Sequence, residues 1–131
     1  TDTSCTYQGN KIFVSKNGIF VADVLIQQIV VFDLDGKLKQ NIPCPKIKKG
    51  DYISMCSAGN DCVVITSYYA KEASKINIMT GHVVWTTKLA SAYGPLSSAC
   101  VGQTMLVGLN GYPEGRGVLI EVLNAENGEC F

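Results

Sequence analysis

Short apolar runs broken by tight-turn residues recur along the whole chain. KIFVS is followed by Lys-Asn-Gly, then IFVAD, then QIVVF ahead of Asp-Leu-Asp-Gly, then KLKQNI. Runs of this length, rich in Val, Ile and Phe and bounded by Asn-Gly or Asp-Gly, predict strands joined by hairpins. Regular helix is not expected, since the nearest candidate, SYYAKEASK, would give only two turns.

The same order of parts returns twice, in DYISMCS-AGND-CVVITS-YYAKEAS-KINIMTG-HVVWTTKL and in PLSSAC-VGQ-TMLVGL-NGYPEGRG-VLIEVLNAENG-ECF. The glycine closing the third strand falls at Gly36, Gly81 and Gly128, spacings of 45 and 47 residues. A four-stranded unit of roughly 40–50 residues in tandem is the sequence signature of β-propeller blades. One blade cannot bury both faces of its sheet, so neighbours must pack against it around an axis. The chain therefore predicts an all-β propeller segment of three four-stranded antiparallel blades over about 11–45, 51–90 and 95–131, with residues 1–10 as a closing strand. Few residues follow Gly128, which leaves the third blade short of most of its last strand. Closed propellers use roughly four to eight blades. Three blades then read as half of a six-bladed ring, completed by a longer chain or by a second copy in a homodimer.

Composition narrows the picture. The chain has 131 residues, 47% apolar and 17% charged, which suits one globular domain. Eleven basic and 11 acidic residues cancel, which argues against a general nucleic-acid or membrane-surface binder and leaves room for a local basic patch. No apolar run approaches the roughly 20 residues of a membrane span. The six cysteines could form three disulfides in a secreted chain. No C-x-x-C occurs, His82 is the single histidine, and no Asn-x-Ser/Thr is present. That pattern points away from zinc, and it favours the cytoplasm over a secreted, disulfide-linked structural or lectin-like protein. No cofactor or metal is expected.

Two resemblances follow from the repeats. NGIFVADVLIQQIVVFDLDGKLKQNI resembles an NHL repeat through Gly18, Val21, Ala22, Asp23, Ile29, Val31, Phe32, Asp33 and Gly36. KINIMTGHVVWTTKL resembles a PQQ-type quinoprotein repeat, in which a Thr-Gly turn leads to a Trp, through Thr80, Gly81 and Trp85. The specific NHL match covers roughly a third of the chain. It implies a six-bladed propeller of the kind often found at the C-terminus of tripartite-motif proteins, binding proteins or RNA. The quinoprotein resemblance implies a cofactor-binding dehydrogenase module or a scaffold, although no run of clustered cofactor or calcium ligands is present.

Most singled-out residues have structural readings. His82 follows a turn glycine and has no spaced Ser or Asp partner for acid–base work. Trp85 is expected to pack between blades. Turn chemistry explains Asp33, Asp35 and Gly36, and no Glu lies nine residues on from Asp35 as a calcium loop needs. Val14, Cys56 and Cys100 read as one repeated, buried small slot, with a Cys56–Cys62 bridge as the alternative. Val14, Val21, Val31, Ile65, Ile76, Ile78, Leu106 and Val122 are expected to be buried between sheets.

The loops carry the functional expectation. Turns after the second strand of each blade emerge on one face together with the connections between blades. They hold four of the six tyrosines and five of the 11 basic residues, a composition suited to a binding surface. The candidate binding residues are Lys46, Lys48, Lys49, Tyr68, Tyr69, Lys71, Tyr93, Tyr112 and Arg116. The chain reads as a non-enzymatic scaffold for a protein partner, or for RNA stacked on tyrosines.

Overall fold

The computed structural model describes residues 9–59, 61–89, 94–109 and 119–131, and every regular element among them is a strand. The first antiparallel sheet contains β1 (Gly9–Ser15), β2 (Gly18–Asp23), β3 (Gln28–Phe32) and β4 (Leu38–Pro43), in that spatial order. The second contains β5 (Ile53–Ser57), β6 (Cys62–Ser67), β7 (Glu72–Asn77) and β8 (Val83–Lys88). The third contains β9 (Pro95–Val101), β10 (Thr104–Leu109) and β11 (Leu119–Asn124). These are three blades of a β-propeller in sequence order. In the third, the fourth strand is reduced to one bridge, Leu123 with Cys130. SYYAKEASK forms no helix: it runs through a turn into β7. β1 already includes Gly9 and Asn10, and residues 1–8 of the expected closing strand lie outside the described residues.

The glycine period has a local cause. Gly36, Gly81 and Gly128 adopt φ of 88°, 77° and 79°, a left-handed conformation that favours glycine. Each turn opens on an Asx residue whose side chain caps it. Asp33 Oδ1 accepts the amides of Asp35 and Lys37 at 2.9 Å, and Asn77 and Asn124 Oδ1 accept those of Met79 and Glu126 at 2.8 Å. This satisfies amides that the ladder leaves open, so Asp33 needs no metal to explain it.

The three turns differ in what surrounds them. A Cβ on Gly36 would meet nothing within 4 Å, whereas one on Gly128 would lie 2.5 Å from Thr87 Oγ1 and 2.7 Å from the Trp85 ring. Gly36→Ala should therefore cost about 1–2 kcal/mol, the left-handed penalty alone. Gly128→Ala should cost about 1–3 kcal/mol more, because the seam between blades is overpacked as well. Unfolding midpoints of the two variants check this, and equal losses would remove Gly128 from the seam.

Alternation along the strands separates two packed seams. Phe20, Ala22, Ile29 and Val31 of blade 1 meet Ile53, Val63, Ile65, Ile76 and Ile78 of blade 2. The other face of blade 2, with Cys56, Val64 and Ala73, meets Met105, Val107, Leu109 and Leu123 of blade 3. Trp85 packs against this second seam and its Nε1 donates to the Ala125 carbonyl at 3.1 Å. Lys75 Nζ donates to the same oxygen at 3.0 Å.

Two expected core residues are exposed. Val14 is 64% exposed and Leu106 42%, while Val21, Val31, Ile65, Ile76 and Ile78 are buried and Val122 is half-buried. Val14 pairs with Ile19 on the face of blade 1 turned away from blade 2, and Leu106 lies on the face of blade 3 turned away from blade 2. Ile12 on the first face and Ile120 on the second are exposed too.

Of the shared slot assigned to Val14, Cys56 and Cys100, Val14 and Cys100 keep one register and one side of their blades, and Cys56 takes the other side. Cys56 pairs with Val64, which faces blade 3, and Cys100 pairs with Met105, which faces blade 2. With a side-chain period of two, a one-residue offset moves a residue to the other face. Cys56 and Cys62 are both free thiols.

Candidate functional site

The loop face is held together by backbone bonds between segments far apart in sequence. Cys44 N donates to the Gln27 carbonyl and Leu89 N to that of Lys71, each at 2.9 Å. These bonds place the β2–β3 and β6–β7 turns beside the exits of β4 and β8. Gln27 and Lys71 both adopt φ of 56°, so the two turns share one backbone shape.

Asp51 organises the centre of this face. It is buried, and its Oδ1 accepts the amides of Tyr52 at 2.8 Å and Tyr69 at 3.3 Å. Its other oxygen accepts the Ser67 hydroxyl, and Ser67 Oγ accepts the Ala70 amide at 3.1 Å. Tyr68 N donates to the Tyr52 carbonyl at 2.9 Å. One carboxylate thus ties the connection between blades 1 and 2 to the turn that carries the tyrosines.

The rings follow from that backbone. Tyr52 and Tyr68 meet edge to face with centroids 6.2 Å apart, and Tyr68 and Tyr69 do so at 5.3 Å. Such pairs each contribute about 0.5–1.5 kcal/mol beyond area burial. The Tyr68 ring also lies where a Cβ on Gly94 would stand, so that glycine admits it. Tyr69 is 71% exposed and presents a ring whose base is fixed.

The charged candidates divide. Lys46 Nζ lies 3.7 Å from the Glu72 carboxylate, which offsets part of its field. Lys48 and Lys49 are exposed on the turn that closes when Asp51 N donates to the Lys48 carbonyl at 3.0 Å. Lys71 is half-buried beside Glu72. Six of the nine candidate residues therefore sit on or around one loop cluster, and Tyr93, Tyr112 and Arg116 lie outside the described residues. Sequence reasoning left out Tyr52 and Asp51. Their signal was the Gly-Asp-Tyr just before an apolar run, where an Asp caps a turn.

The opposite end of the first seam holds a second concavity. Two adjoining cavities of about 270 and 160 Å³ share Asn17, Phe20, Asp61 and Ile78. Asn17 Nδ2 donates to Asp61 Oδ1 at 3.4 Å across them. Phe20, Val63 and Ile78 form an apolar floor beneath a rim with Lys16 and Ser57. His82 is exposed on a turn, and among the described residues no group of three or more His, Cys, Asp or Glu is placed to hold a metal ion.

No family model and no curated protein matches the chain. Solved structures do. Hydrazine synthase from Kuenenia stuttgartiensis aligns with TM-score 0.73 and 12% identity over 100% of this chain and 38% of that chain. The Cps50 (Swd1) β-propeller domain from Myceliophteria thermophila aligns with TM-score 0.68 and 7% identity, over 100% of this chain and 40% of its own. A europium-containing methanol dehydrogenase aligns with TM-score 0.63 and 16% identity, over 91% and 23%. At such identities the likeness is one of fold, and this chain spans well under half the length of each of these relatives: it is a three-blade segment of β-propeller architecture.

Proposed function

We propose that the chain is part of a non-enzymatic binding scaffold that holds a protein partner on its loop face. The observation that carries this reading is the Tyr52–Tyr68–Tyr69 cluster, pinned by Asp51 and Ser67 and flanked by exposed Lys48 and Lys49. A tyrosine with a fixed base loses little entropy on contact, which suits it to anchor an interface, while rim lysines steer encounter. The fold alone supports several functions.

The test is a photo-crosslinking amino acid at position 69, compared with one at position 79 on the opposite end. Capture of one partner from position 69 only is expected. Tyr69→Ala should then weaken binding of that purified partner by at least about tenfold, with only a small fall in unfolding midpoint from the lost edge contact with Tyr68. Equal capture from both positions would move the site off this face. An RNA ligand would instead give an affinity that falls by roughly 0.7 log units per log unit of salt for each phosphate neutralised, and Lys48→Ala with Lys49→Ala would reduce that slope.

A quinoprotein-like cofactor module is the second reading, favoured by the likeness to methanol dehydrogenase and by Thr80, Gly81 and Trp85. Trp85 packs in a seam and bonds a backbone carbonyl, a structural placement that fits the repeat and supplies no contact for a cofactor. The remaining part of the proposal concerns the ring. Further blades, from a longer chain or a second copy, cover the open faces at Val14 and Leu106.

A further inference from the structure

The seam between blades 2 and 3 brings two thiols together. The ring of Tyr68 touches both Tyr52, at the start of β5, and Gly94, at the start of β9, so both strands leave the loop face in the same direction. Partway along, Ser54 Oγ and Ser98 Oγ lie 2.9 Å apart across the seam. Two residues further on each strand, with side chains on those same facing sides, stand Cys56 and Cys100. Cys56 belongs to the buried cluster against which Cys100 packs, and Ser98 hydrogen-bonds the Cys56 sulfur. Both are free thiols.

We propose that Cys56 and Cys100 are a redox-responsive pair that closes into a disulfide joining blade 2 to blade 3. The oxidant is a peroxide. Cys100, the more exposed of the two, attacks it: the O–O bond breaks, Cys100 becomes a sulfenic acid and the peroxide leaves as alcohol, or as water from hydrogen peroxide. The Cys56 sulfur then attacks the Cys100 sulfur and gives up its proton. The S–S bond forms and water leaves. Overall, two thiols and one peroxide give one disulfide, one alcohol or water, and one water.

The surroundings set the pace. Burial pushes both thiols above their ordinary range, and the Lys75 ammonium pulls Cys100 back in part. The Cys100 thiol donates a long bond of 3.5 Å to the Gly102 carbonyl, a weak contact to give up on rotating towards Cys56. Cys62 competes poorly, because it lines the cavity at the first seam with Ser15 and Phe20 of blade 1.

The experiment treats the whole chain with one to a few equivalents of hydrogen peroxide and maps tryptic peptides without reductant. A link between residues 50–71 and 89–116, two hydrogens lighter than the sum of the peptides, is expected. It should persist in Cys62→Ser, which leaves Cys56 as the sole thiol of its peptide, disappear in Cys56→Ser, and reverse with dithiothreitol. The oxidised chain should unfold at a higher midpoint than the reduced one. Sulfinic acid on Cys100 with no link in Cys62→Ser, or a link that survives Cys56→Ser, would overturn the pair.

Discussion

Phe20→Ala is expected to destabilise the chain by about 3–5 kcal/mol, the range for emptying a buried aromatic position. Phe20 is 1% exposed and lies in the first seam, between Ala22 and Val31 of its own sheet and the Val63 and Ile78 side of blade 2. The loss should exceed the ordinary transfer cost for a specific reason. The cavities beside Phe20 already open towards Asn17 and Asp61, so truncation joins polar-lined space to the apolar floor. Denaturant unfolding measures this directly. Leu106→Ala, on an open face, is the control and should cost under about 1 kcal/mol. If the two variants unfold alike, the first seam is not where the stability of the stack resides.

Asp51→Ala should be the second large effect, about 3 kcal/mol. It removes the acceptor of the Ser67 hydroxyl and of the Tyr52 and Tyr69 amides, and each buried donor left unmet costs about 1–3 kcal/mol before water relieves it. The effect should also be local. Hydrogen exchange at the Tyr69 and Ala70 amides should quicken far more than at Val64 in the seam. Asp51→Asn keeps one oxygen for the amides and should fall between Ala and the native residue. A loss under 1 kcal/mol with unchanged exchange at Tyr69 would mean that the tyrosine turn holds itself.

The parts legible in the sequence are those with local causes. Asp33 to Gly36 and Asn77 to Gly81 announce their turns because the cap and the left-handed glycine lie within five residues of each other. Antiparallel order followed from hairpins too short to do anything else. Which face each side chain takes was less legible. The turn between β1 and β2 holds two residues, Lys16 and Asn17, while that between β5 and β6 holds four, 58–61. Matching copies by the order of their parts slips the register of blade 2 by one, so Cys56 takes the face opposite to that of Val14 and Cys100, which both stand one residue before a two-residue turn. Small apolar residues such as Val and Cys give little polarity contrast to correct the slip. The tyrosine turn was legible as composition only. Its anchor, Asp51 on Ser67, spans 16 residues and depends on how β4 hands over to β5.

The open faces carry a consequence for assembly. Ile12 and Val14 mark one end of the stack and Leu106 and Ile120 the other, and the two ends are different surfaces. Copies joined through them meet head to tail, a heterologous contact. Such a contact closes into a ring only when the turn per copy divides a full circle; otherwise it climbs into an open filament. The same seam geometry that lets blade 2 stack on blade 1 therefore makes the capping of the two ends, by whatever blade covers them, the step that separates a finite particle from a polymer.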